Sequence, residues 1–127
     1  MKPLYAIYAG GALHAAWAVF HLLFPKVFKW KQGLAGMDAV NKSIYQVLNL
    51  CLTFWFASLA YISLAFGPDL LAGGLGHKLL SIVTAFWLLR LALQFRFFNG
   101  LHPASLVLNF FFLATMACYA YPLLKGA

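Results

Sequence analysis

At 127 residues the chain amounts to a single domain, and 65% of it is hydrophobic against only 9% charged. A water-soluble domain of this size cannot bury so much apolar surface, so lipid is the expected solvent for most of it. The formal charge of +7 would suit nucleic acid in a soluble protein. Here the lysines stand mainly between apolar runs, where they set topology and meet anionic lipid, and no nucleic-acid partner is expected.

The first apolar run, residues 4–24, holds 21 residues without a formal charge, close to the roughly 20 that cross a bilayer as a helix. It is longer than the apolar region of a signal peptide and ends in Phe24-Pro25-Lys26 without a small-x-small cleavage site, so it reads as a retained span. Residues 25–42 form a basic connection in which Lys26, Lys29, Lys31 and Lys42 alternate with Val27, Phe28 and Trp30, the chemistry of a membrane surface. A second run spans 43–66 and stops at Gly67-Pro68-Asp69. Gly73, Gly74 and Gly76 then predict a loop before a third run over 77–98. Asn99-Gly100 is a tight turn, and His102-Pro103 opens a fourth run that extends to Tyr121, ahead of Pro122.

The predicted fold is therefore all-α: four antiparallel transmembrane helices in an up-down bundle, integral to the inner or plasma membrane of the cell. The connections over 25–42 and 99–102 share one side, which holds four lysines with Arg96 close by; the other side has Lys2, Lys78 and Lys125. Positive residues favour the cytoplasm, so both termini are expected outside.

Arg90 is the strongest functional signal. It lies inside an apolar run, its guanidinium stays charged in proteins, and the chain's two acidic residues, Asp38 and Asp69, lie outside the runs. Such a residue is expected to face the bundle interior or a water-filled cavity. Residues three, four or seven apart share a helix face, and each run carries one polar stripe. These are His14 and His21, with Trp17 between; Gln46, Asn49 and Thr53; Trp87, Arg90 and Gln94; and His102, Ser105 and Asn109. At 1.5 Å per residue they all fall within roughly 15 Å of the lysine-rich end, which predicts one polar chamber in the inner half of the membrane. Singly, the amides and hydroxyls read as glue between helices.

The leading expectation is binding, with transport or turnover as an extension, of an amphiphile with a polar or anionic head, such as a phospholipid, isoprenoid or quinone. Its candidate ligand-binding residues are Arg90, His14, His21, Asn49, Gln46, Gln94, Asn109 and Trp87. Two other classes fit the same residues. One is a quinone or b-type haem redox subunit, with His21 and His102 as the pair of axial ligands at similar depth. The other is a non-catalytic accessory subunit that docks partner helices, as a homodimer or in a larger complex. His14 and His21, about 10.5 Å apart along one helix, cannot share a metal ion, and no metal site is expected. No carboxylate pair, phosphate-binding glycine loop or serine elbow points to a reaction.

Overall fold

A computed structural model describes residues 1–126. Its elements are α1 (Pro3–Leu22), α2 (Phe24–Val27), α3 (Trp30–Gly33), α4 (Ala39–Ala65), α5 (Gly67–Leu71), α6 (Leu75–Phe97) and α7 (Pro103–Leu124), with no strand among the described residues. Three of these helices, α4, α6 and α7, are long and apolar enough to cross a membrane. Among the described residues α1 does not join that set, although four such helices were expected. It is 20 residues long, but His14, His21, two tyrosines, Trp17 and the Gly10-Gly11 pair dilute its apolar content.

The element boundaries follow local chemistry. Helix α4 starts four residues before the predicted Ser43, because Asp38 caps it. Its carboxylate accepts from the Asn41 backbone N–H at 2.9 Å and from the Asn41 side-chain amide at 2.6 Å. Those two bonds, the backbone one foremost, hold the Asp38 carboxyl below its ordinary pKa. Gly73 and Gly74 take positive φ, 93° and 55°, where the chain reverses into α6. Helix α7 runs through Pro122 to Leu124 rather than ending before the proline. The missing N–H falls in the last turn, where it forfeits one bond, and the Lys125 N–H still reaches the Tyr121 carbonyl at 3.0 Å.

Helix α1 is the central strut. It lies against α4 along one side and α7 along another, and α7 in turn packs on α6. Helices α4 and α6 scarcely approach each other along their backbones. What joins them is an aromatic cluster: Phe56 of α4 stacks on Trp87 of α6 with ring centroids 5.4 Å apart, and Trp17 of α1 sits 5.2 Å from both Trp87 and Phe112 of α7. All four rings are buried, and they form the middle of the core. Outward-facing side chains such as Phe54, Tyr61, Ile82 and Phe110 are more than half exposed, an apolar surface suited to lipid.

The close approach of α1 to its neighbours rests on two glycines. A Cβ on Gly10 would stand 2.5 Å from a ring carbon of Tyr119, which is buried and hydrogen-bonded. A Cβ on Gly11 would stand 2.9 Å from Leu64 Cγ and 3.0 Å from the Cβ of the buried Ser63. Gly10→Ala and Gly11→Ala are therefore each expected to cost about 1–3 kcal/mol of overpacking. Thermal unfolding in detergent measures both; a Gly10→Ala protein as stable as wild type would mean that Tyr119 has room to move.

Candidate functional site

Where α4 and α6 part, a cavity of about 780 Å³ opens, within the usual range for small-molecule sites. Its walls are the C-terminal halves of α1 and α6 and the N-terminal halves of α4 and α7. The aromatic cluster of Trp17, Phe56, Trp87 and Phe112 forms its inner end. At the other end the connection between α1 and α4 folds over it, contributing Phe24, Phe28, Trp30 and Leu34. Trp30 and Leu34 are buried, and Trp30 meets Tyr45 edge-on at 5.2 Å, while Lys29 and Lys31 remain exposed. The connection is thus an amphipathic cover, apolar inward and basic outward. The sequence places these aromatics at the membrane surface; with no regular period across two four-residue helices, nothing in it signals their inward turn.

The polar groups of the cavity are few and differ in kind. Arg90 is half-buried on α6, and its guanidinium carbon lies 4.5 Å from the centre of the Phe112 ring. Among the described residues it has no carboxylate partner and donates no hydrogen bond to the protein, which leaves its N–H donors unengaged on the cavity wall.

His21 and Asn49 form a reciprocal pair between α1 and α4. The Asn49 amide N–H donates to the His21 backbone carbonyl at 2.8 Å, which fixes the amide orientation. Its carbonyl oxygen then accepts, at 2.9 Å, from His21 Nδ1. The proton of the neutral ring therefore sits on Nδ1, and Nε2 keeps a lone pair with no protein partner. Thr53 back-bonds to the Asn49 carbonyl at 2.8 Å within α4, and the His21 ring stacks on Phe24 at 4.0 Å.

Gln94, 3% exposed, donates through Nε2 to Ser105 Oγ at 2.9 Å across the α6–α7 contact, and its Oε1 has no partner. Turning the amide over would exchange one unpartnered atom for the other.

The structure thus brings Trp17, His21, Asn49, Trp87, Arg90, Gln94, Ser105 and His102 to one cavity. Three other candidates lie elsewhere. His14 is fully buried behind Trp87. Its Nε2 accepts from the Trp87 indole N–H at 3.0 Å, and its Nδ1 lies 2.8 Å from the Tyr119 hydroxyl and 3.1 Å from the Gly10 carbonyl. Both its nitrogens are engaged by the protein, and it lies outside the cavity lining. Gln46 is exposed and outside the lining, on the flank of Asn49 opposite to the one that carries Leu48 and Leu52. Asn109 is buried and donates to the Gly100 carbonyl at 3.2 Å, closing the turn before α7 rather than facing the cavity.

His21 and His102 do not fit an axial pair for haem. His102 caps α7 by accepting the Ala104 N–H at Nδ1, 3.2 Å away. That bond places the neutral ring's proton on Nε2, so the nitrogen that would face an iron carries no lone pair. No group of three or more metal-ligating side chains gathers among the described residues.

Fold and site together define an all-helical protein with three helices of membrane-spanning length and apolarity, enclosing an aromatic-ended cavity that carries one unpaired guanidinium. Comparison with protein-family models, curated proteins and solved structures finds no match to this chain.

Proposed function

We propose that the protein is a four-span integral membrane protein that binds an amphiphile with a polar or anionic head. The head lies beneath the basic connection and the chain lies among the aromatics. In this arrangement α1 is the fourth span: it runs antiparallel to α4 and α7 to complete an up-down bundle, with the connection over 25–42 on the cytoplasmic side and both termini outside. The lysines of that connection, outnumbering those of the opposite side, favour this orientation.

One observation carries the reading. Arg90 stands in an apolar run with no anion to meet, on the wall of a cavity large enough for a ligand. A guanidinium kept at that depth without a protein partner is costly in lipid, and a bound anionic or carbonyl group offsets the cost. The gap between α4 and α6 gives the chain of such a ligand a way into the surrounding bilayer. Arg96 supplies the control, since it is exposed near the end of α6 and lies against Phe97 rather than in the cavity.

The test is native mass spectrometry of protein purified in mild detergent from its membrane. A lipid-sized adduct is expected on wild type and on Arg96→Ala. It should fall at least about tenfold in occupancy on Arg90→Ala, as loss of a charge-assisted contact implies. Equal retention by the two arginine variants would remove the specific role of Arg90.

A further inference from the structure

The polar groups around the cavity ask for more than an anion, and they narrow the ligand to a class. This step rests on the reading just proposed. Arg90 supplies only donors. Beside it on the same lining is an acceptor that the protein leaves unused. It is His21 Nε2, whose lone pair is fixed by the Asn49 pair on the ring's other nitrogen. A part-buried acceptor left empty costs free energy, and a ligand that fills it recovers that cost. The complementary head therefore carries an anionic oxygen for Arg90 together with at least one O–H to donate to His21.

Charge excludes the commonest alternative. A head bearing an ammonium would bring a second cation beside Arg90, and the cavity lining contains no carboxylate to receive it. The cover above it is itself basic, with Lys26, Lys29 and Lys31 in nine residues of connection between Phe24 and Gln32, so the local field favours net negative heads. Zwitterionic lipids are disfavoured on both counts.

We infer that the site selects an anionic phospholipid whose head carries free hydroxyls, of the phosphatidylglycerol kind: the phosphodiester meets Arg90, a head hydroxyl donates to His21 Nε2, and an acyl chain leaves between α4 and α6. The hydroxyl is what distinguishes this from a general affinity for anionic lipid.

Delipidated wild-type protein in detergent is titrated with three lipids of identical acyl chains, and bound lipid is counted by native mass spectrometry. The three are phosphatidylglycerol, phosphatidylmethanol and phosphatidylcholine. Phosphatidylmethanol keeps the single negative charge and lacks the hydroxyls. Phosphatidylglycerol is expected to bind about fivefold more tightly than phosphatidylmethanol, the worth of one ordinary hydrogen bond. Both should exceed phosphatidylcholine by about tenfold or more. In His21→Phe the first ratio shrinks toward one while the second is retained; circular dichroism verifies that this variant is folded, and the wild-type series stands without it. sn-Glycerol 3-phosphate, which has the charge and hydroxyls without a chain, is expected to leave bound lipid in place. Equal binding of phosphatidylglycerol and phosphatidylmethanol, both above phosphatidylcholine, overturns the hydroxyl inference and leaves the anionic site standing. Binding of all three alike overturns the anionic site as well. Displacement by glycerol phosphate overturns the assignment to a lipid.

Discussion

Replacing His14 with leucine is expected to cost about 2–4 kcal/mol of stability, and with alanine about 3–5 kcal/mol. The reason is the number of groups that depend on one ring. The Trp87 indole donates to Nε2, which places the imidazole proton on Nδ1. The Nδ1–H is then shared between the Tyr119 hydroxyl at 2.8 Å and the Gly10 carbonyl at 3.1 Å, and the Tyr119 hydroxyl is hydrogen-bonded to Ser63 Oγ at 2.7 Å. One side chain of α1 thereby joins α4 through Ser63, α6 through Trp87 and α7 through Tyr119, all at buried positions. Leucine restores the volume and strands the indole N–H, while alanine adds a cavity. Hydrogen bonds within membranes are often worth only about 0.6 kcal/mol each because the unfolded segments find other partners. The expectation here is larger because several bonds fail together in a dry core. In a double-mutant cycle, His14→Leu with Tyr119→Phe should cost at least about 1 kcal/mol less than the two single changes summed. Additive costs, or a His14→Leu protein within 0.5 kcal/mol of wild type, would show that the four helices are held by packing alone.

The same histidine marks the limit of what the sequence discloses. Spacing puts His14 and His21 on one face of α1, and both do point inward. Their roles then diverge through neighbours that lie 28 to 105 residues away. His14 is level with the indole of Trp87 and the phenol of Tyr119, which together engage both its nitrogens. His21, two turns along, meets only the Asn49 amide and keeps one nitrogen free. Periodicity reports the face and not the partner, and Tyr119 and Ser63 lie in the half of the runs that reads as simply apolar. The helical class, the elements over 43–66, 77–98 and 103–121, and the solitary state of Arg90 were legible, because length, hydropathy and the scarcity of carboxylates are local or compositional facts. The cavity's cover was not. Phe24, Phe28, Trp30 and Leu34 follow no repeat, and only the fold-back of the connection assembles them. Gln46 lies on the flank of Asn49 opposite to the one on which Tyr45, Leu48 and Leu52 line the cavity, and spacing alone does not give that direction.

Arg90→Leu is expected to make the empty protein more stable and the lipid-loaded protein less so. On insertion scales an arginine at the centre of a span costs about 2.5–3.5 kcal/mol, where leucine is favourable. Part of that is recovered in wild type by the cation–π contact with Phe112 at 4.5 Å, worth about 0.5–2 kcal/mol. The remainder, of order 1–2 kcal/mol, should appear as a melting temperature raised by about 5 °C in delipidated detergent-solubilised protein. Saturating anionic lipid reverses the order, since a ligand that binds only the folded state stabilises it by an amount that grows with its concentration over Kd, and Arg90→Leu has lost the group that holds it. A structural arginine behaves in the opposite way: its removal destabilises the empty protein, and added lipid shifts both forms equally. The crossing of the two melting curves on addition of lipid is therefore the signature of a charge that serves ligand binding at the expense of the fold. Its absence would assign Arg90 to the packing of α6 on Phe112.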